Sequence, residues 1–227
     1  MNWSAVLELY LSSIKVDKDG IPTTIDSLRP ACAALARVSA ALANGRSGVW
    51  KAALIDAQKI ASPVEIEEIL LQSCLFVGFP VVLNAFEVLR AQEVGCAKGS
   101  IDTSLTERLI VGEELCARIY GEAYDSLREN VRNLHPDLDR WVIADGYGKT
   151  LSRPGLSVCD RELCIVAQLA AGRHGRQLKA HLFGALNVGA TPEAVESVLE
   201  IGIASGTRED RVELLSLWSE VKRRVGL

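Results

Sequence analysis

Apolar positions along this chain recur at intervals of three and four residues, and nowhere do they alternate with period two over a useful length, so the pattern predicts an all-α protein. A short amphipathic helix is expected over residues 3–14, closed by the polar run Lys15 to Gly20 and the Ile21-Pro22 step. The alanine-rich stretch from Ser27 to Ala43 reads as a closely packing helix, broken at Asn44-Gly45-Arg46-Ser47-Gly48 and followed by a second helix from Val49 to Ile60. Ser62-Pro63-Val64-Glu65 then carries three start signals: a serine N-cap, a proline at the first helical position and a glutamate that completes a capping box. Gly78-Phe79-Pro80 turns the chain before a further helix, and Cys96 to Thr103 is a small-residue connection. Helix is predicted from Leu105 to Val131 with a break near Tyr120-Gly121, its Glu113, Glu114, Glu122 and Glu129 marking a solvated face. A short helix begins at His135-Pro136 and ends at Asp145-Gly146-Tyr147-Gly148, ahead of a loop from Leu151 to Leu156. Thr191-Pro192-Glu193 starts another helix, and an amphipathic one over Arg208 to Arg224 closes the pattern.

The two proline-started helices reveal an internal duplication. Aligning Ser62-Pro63 with Thr191-Pro192 brings Gly45-Arg46-Ser47-Gly48 opposite Gly172-Arg173-His174-Gly175, and Lys51-Ala52-Ala53-Leu54 opposite Lys179-Ala180-His181-Leu182. The expected organisation is an N-terminal helix and linker over residues 1–26, a first repeat over 27–96, connecting helices and a loop over 97–156, and a second repeat over 157–227. A unit of about 70 residues buries little surface alone, so two copies are expected to pack face to face. Divergence is unequal: where the second copy has Glu162 and His181, the first has Ala34 or Leu35 and Ala52 or Ala53.

Composition narrows the function classes. A net charge of −4 with no basic stripe argues against nucleic acid as a partner. No apolar run is judged long enough to span a bilayer, and the first twenty residues lack the basic start and cleavage site of a secretory signal, so no membrane partner and a cytoplasmic location are expected. The six cysteines form no CxxC and no close Cys/His cluster with ligand spacing. Buried free thiols and no metal are the expectation.

The densest chemistry lies in Asp160 to Gly189, which holds two of the chain's three histidines and reads as two helices joined near Ala171-Gly172-Arg173. With a rise of about 1.5 Å per residue, Glu162 lies roughly 15 Å back from the turn and His181 roughly 12 Å forward, so in an antiparallel hairpin they are nearly level. A carboxylate level with an imidazole fixes its tautomer and raises its basicity, which makes an acid/base pair. The same spacing also fits a glutamate that caps or solvates a helix beside an ordinary packed histidine.

These residues resemble the carboxymuconolactone decarboxylase family, which includes the alkylhydroperoxidase D-like proteins. The resemblance is carried by Arg153-Pro154-Gly155-Leu156, Arg161-Glu162, Leu169-Ala170-Ala171-Gly172-Arg173, Gln177-Leu178, and the run from His181-Leu182-Phe183-Gly184 to Thr191-Pro192-Glu193. In the first copy Glu68-Ile69-Leu70-Leu71-Gln72 through Gly78-Phe79-Pro80 and Asn84-Ala85-Phe86 is similar to the family's closing signature, and Gly112 to Tyr124 is similar to the helix preceding the Arg-Pro-Gly-Leu loop. The resemblance implies an all-α fold of two tandem alkylhydroperoxidase D-like repeats and a homo-oligomer, a trimer of two-repeat chains or else a dimer or hexamer. It further implies cofactor-independent, carboxy-lyase-like chemistry on a small carboxylated lactone or related acid.

In that reading His181 is the proton donor and Glu162 orients it, while Arg173, with His174 and Arg153, holds the substrate carboxylate. Helix-end capping and surface solvation account equally well for each arginine taken singly. The peroxidase branch of the family needs a CxxC pair ahead of the histidine, and those positions carry His174 and Gln177 here. A thiol peroxidase is thereby disfavoured, and a non-catalytic oligomeric binding protein is the alternative from another class. The segment before Arg153, Ala144 to Lys149, has fewer aromatics than the family's pattern, and the second copy lacks the Gly-Phe-Pro turn.

Overall fold

Start signals fix the helix ends. In the computed structural model, which describes residues 28–92, 103–204 and 206–227, Ser62 Oγ accepts from Glu65 N at 3.3 Å while Ser62 N donates to Glu65 Oε2 at 2.8 Å. Thr191 Oγ1 accepts from Ala194 N at 3.1 Å in the corresponding way. Two further reciprocal caps, Ser104 with Glu107 and Thr207 with Asp210, set the starts of later helices. The predicted helix over 3–14 and the connection before Thr103 lie outside the described residues.

The helices are α1 (Pro30–Asn44), α2 (Ser47–Ala57), α3 (Pro63–Ala91), α4 (Leu105–Tyr120), α5 (Tyr124–Leu134), α6 (Pro136–Trp141), α7 (Val158–Ala171), α8 (Gly175–Asn187), α9 (Pro192–Ile203) and α10 (Arg208–Val225). A 3₁₀ turn, Gly121–Ala123, joins α4 to α5, and a π-helical segment, Val142–Leu151, continues α6. The described residues contain no strand, and the fold is all-α. Both α1 with α2 and α7 with α8 are hairpins followed by a Ser- or Thr-capped, proline-started helix.

Helix α7 is the axis of the core: every residue from Val158 to Ala170 is buried, with α1, α8 and α9 packed round it. Total burial suits its aliphatic residues but strips water from Asp160, Arg161 and Glu162, each of which then needs a partner inside the protein. Asp160 Oδ2 accepts from Arg29 Nη2 and Ser157 Oγ, both at 2.8 Å. Arg161 Nη2 donates to Glu68 Oε2 and to the Arg153 carbonyl, both at 2.8 Å, and Gln72 Nε2 returns a bond to the Arg161 carbonyl at 3.1 Å. The first of these contacts locks α3 against α7 through a pair of side chains almost wholly removed from solvent.

Helix α3 is bent into two arms at Gly78, whose φ of 75° and ψ of 169° lie outside helical space. Such a positive φ is accessible to glycine at little cost and strained for other residues. The arms double back: Arg90 pairs with Glu67, residues that a straight helix would hold about 34 Å apart. The turn expected at Gly78-Phe79-Pro80 is therefore this bend. By total length and apolar composition α3 is long enough to cross a bilayer, whereas the sequence pattern predicts no such run. Neither arm does so alone, since the longer, over residues 63–77, spans only about 22 Å against the roughly 30 Å of a hydrocarbon core.

One segment departs from the sequence pattern. Asp145-Gly146-Tyr147-Gly148, expected to end a helix, continues instead as wide turns to Leu151, with Ser152 N bonded to the Tyr147 carbonyl at 3.0 Å and Thr150 Oγ1 to the Asp145 carbonyl at 2.8 Å. The cause is backbone-to-backbone packing. A β-carbon at Gly148 would overlap the Arg108 carbonyl, and one at Gly112 would overlap that of Ile143, so α4 and this segment approach as only glycine permits. Tyr147 is thereby turned into the interior, where it is 5% exposed.

Removing one side of the α3–α7 lock leaves a buried charge unpaired. Glu68→Ala is expected to lower unfolding free energy by about 3–5 kcal/mol in urea denaturation, against at most about 1 kcal/mol for Glu200→Ala, which breaks the exposed pair with Arg211.

Candidate active site

The α7–α8 hairpin turns at Arg173, whose φ of 59° makes it the one non-glycine residue with positive φ among the described residues. Backbone bonds from Arg173 N to the Ala170 carbonyl (3.1 Å) and from His174 N to the Leu169 carbonyl (3.0 Å) satisfy the end of α7. The preceding Gly172 has ordinary helical angles; its missing side chain makes room for the His174 ring, which a β-carbon there would approach to 2.9 Å.

Along this hairpin Glu162 and His181 meet. His181 Nδ1 lies 2.8 Å from Glu162 Oε2, with the histidine 7% and the glutamate 1% exposed. An ionised carboxylate only accepts, so against it Nδ1 carries the hydrogen and Nε2 presents a lone pair in the neutral ring or a hydrogen in the imidazolium. Among the described residues Glu162 Oε1 has no hydrogen-bond partner and is shielded from solvent. Gly184, one helical turn beyond His181, opens the space the carboxylate occupies. A β-carbon there would stand 2.7 Å from Ile119 Cγ2 and 2.9 Å from Glu162 Oε2.

Three aromatic side chains complete the surroundings, none of them singled out by sequence reasoning. The rings of Phe76 from α3 and Tyr120 from α4 meet the His181 ring edge to face, at centroid distances of 6.3 and 6.2 Å. Tyr147 donates from its hydroxyl to that of Tyr120 at 3.2 Å. Burial pushes both phenols above their ordinary range, and the nearby Glu162 carboxylate adds to the rise. The chain has only four tyrosines, and the breaks predicted at Tyr120-Gly121 and Tyr147-Gly148 were the signal that could have drawn attention to two of them.

The three side chains expected to hold a carboxylate are placed otherwise. Arg173 and His174 sit exposed at the hairpin turn, roughly 15 Å along the helix from Glu162, and Arg173 pairs with Asp210 at 3.4 Å. Arg153 gives its guanidinium to Glu68, from Nε at 3.0 Å and Nη2 at 2.8 Å. The structure thus brings together His181 and Glu162 and leaves the other three outside their contacts.

Thiol chemistry has little footing among the described residues. Cys32, Cys116, Cys159 and Cys164 are buried free thiols, and Cys74 is half-buried. Burial pushes Cys116 and Cys159 up to about 12, far from the thiolate form a nucleophile needs. No group of three or more His, Cys, Asp or Glu side chains among the described residues is arranged to hold a metal ion.

Fold and site define an all-helical protein with a buried carboxylate–imidazole pair between antiparallel helices. Residues 136–213, from α6 into α10, match the model of the Carboxymuconolactone decarboxylase family. Two curated relatives share the name Peroxisomal protein 2. That of Schizosaccharomyces pombe is 28% identical over 166 residues, covering 69% of this chain and 75% of the relative. That of Saccharomyces cerevisiae is 30% identical over 110 residues, covering 48% of this chain and only 35% of the relative.

Because Gly184 separates Ile119 from Glu162, Gly184→Ala is expected to overpack the site and lower stability by about 1–3 kcal/mol. Thermal unfolding checks the loss, and a double variant with Ile119→Ala is expected to recover part of it, whereas additive losses would show that the two positions do not share this space.

Proposed function

We propose that this protein is a cofactor-independent enzyme that transfers a proton at carbon, decarboxylating or isomerising a small carboxylated lactone or related acid. The observation that carries the reading is the buried contact of 2.8 Å between His181 Nδ1 and Glu162 Oε2, which orients the ring and leaves Nε2 without a hydrogen-bond partner among the described residues. In a decarboxylation the bond from carbon to the substrate carboxylate breaks, CO2 departs, and the electron pair enters the conjugated system as an enolate. Nε2–H of the imidazolium then protonates carbon, and solvent restores the proton. An isomerisation uses the same atom twice, first as base and then as acid. Aromatic walls from Phe76 and Tyr120 suit a flat, unsaturated substrate.

The shared name of the two yeast relatives supports a peroxisomal location rather than the general cytoplasmic one expected from composition. The duplication read from the sequence supports a chain of two family-like units, the second carrying the acid/base pair. It also supports a homo-oligomer of such chains. Leu75, Phe79 and Leu83, exposed by 41%, 71% and 59% about the α3 bend, are the surface we assign to that assembly. Native mass measurement is expected to give a trimer that Phe79→Glu dissociates; a monomeric wild type would remove the assembly.

The activity itself is tested by screening carboxylated lactones and related acids for CO2 release and for double-bond movement, wild type beside His181→Ala. A substrate is expected whose turnover falls about 10²–10⁴-fold in the variant. Turnover that survives the substitution would strip His181 of its role, and silence across the panel would favour a non-catalytic binding protein.

A further inference from the structure

An enolate leaves negative charge on a substrate oxygen, and that oxygen needs a donor. The arginines expected to supply positive charge lie elsewhere, Arg153 on Glu68 and Arg173 on Asp210. What does adjoin the His181 ring is the phenol of Tyr120, itself hydrogen-bonded by Tyr147. Resting on the acid/base reading of His181 and Glu162, we propose that Tyr120 is a catalytic residue, the hydrogen-bond donor to the substrate's enolate oxygen, and that Tyr147 is the positioning residue that directs it.

The two phenols share one contact of 3.2 Å, and each has a single hydrogen to give. Tyr147 donates to the Tyr120 oxygen at 3.2 Å, so the Tyr120 hydrogen is not used between the two phenols and is available to a third oxygen. Donation into the Tyr120 oxygen also polarises its O–H bond, strengthening the bond it makes onward. Burial favours the protonated form of both phenols, which keeps each of them a donor. The Tyr120 and His181 rings meet at a centroid distance of 6.2 Å and an angle of 66°, which sets the tyrosine ring directly against the imidazole. In the step itself the electron pair from the broken carbon bond moves onto the substrate oxygen. Tyr120 keeps its proton and stabilises that oxygen by hydrogen bonding, and His181 Nε2 exchanges the proton with carbon. No redox partner is required.

The probe is 4-nitrophenol, a flat molecule whose phenolate resembles an enolate in charge and oxygen geometry and whose two forms differ in absorbance. Binding is titrated across pH with the full chain, so no turnover is needed. Wild type is expected to bind the phenolate about tenfold more tightly than the phenol. Tyr120→Phe is expected to abolish that preference and Tyr147→Phe to reduce it about threefold, both with unchanged stoichiometry and with melting temperatures near that of wild type. A phenylalanine at 120 that leaves the phenolate preference intact overturns the proposal, as does a wild type with no preference. A preference that depends on Tyr120 in a protein releasing no CO2 from any acid would leave this inference standing and defeat only the decarboxylase reading.

Discussion

The fold depends on a helix that has no solvent face. Because α7 is buried from Val158 to Ala170, its three consecutive ionisable residues project in different directions into the protein, and each is met by a different element. Asp160 is met by Arg29 ahead of α1, Arg161 by Glu68 of α3, and Glu162 by His181 of α8. An aliphatic helix in this place could rotate or slide against its neighbours with little change in buried area. Three unlike polar contacts allow one rotation and one register, because any other leaves a desolvated charge without a partner.

The same constraint builds the candidate site. Fixing α7 through Arg161 also fixes α3, whose Glu68 and Gln72 grip one side of α7 while Phe76, one to two turns further along, stands against the His181 ring. Gly184 lets α8 come close enough for its histidine to reach Glu162, and the paired glycines 112 and 148 draw the 142–151 segment onto α4 so that Tyr147 reaches Tyr120. Four separate stretches of chain thereby converge on one imidazole. The site is shaped by elements that precede it in sequence, although its acid/base pair comes from a single hairpin.

How much of this was legible depends on the range of the interaction. Local chemistry was readable: Ser62-Pro63-Val64-Glu65 and Thr191-Pro192 start helices by contacts three residues long, and the level placement of Glu162 with His181 follows from counting along a hairpin. Long-range contacts were not. Nothing near Arg153 in sequence announces that Glu68 will take its guanidinium, so its charge was assigned to a substrate. Gly146 and Gly148 signalled a helix end when the second of them allows a backbone contact with α4, and with that contact hidden, Tyr147 could not be placed inside. Phe76 was visible only as one more apolar residue in a buried helix.

The placement of the polar pair relative to the hairpin turn separates two kinds of chemistry. A thiol peroxidase of the kind the sequence resembles would carry its cysteines at the positions held by His174 and Gln177, both of which are exposed at the beginning of α8. There neither side chain can act as a thiolate, and the described cysteines elsewhere are buried or half-buried, with burial pushing the thiols of Cys74, Cys116 and Cys159 upward. The carboxylate and imidazole that would relay protons to such thiols nonetheless remain, deep in the hairpin at a hydrogen-bonding distance of 2.8 Å. A desolvated carboxylate is costly to retain as mere packing, and an apolar pair of similar volume would fill the space with no such cost. A buried carboxylate–imidazole pair without a thiol pair beside it fits the proposed proton transfer at carbon better than chemistry at sulfur.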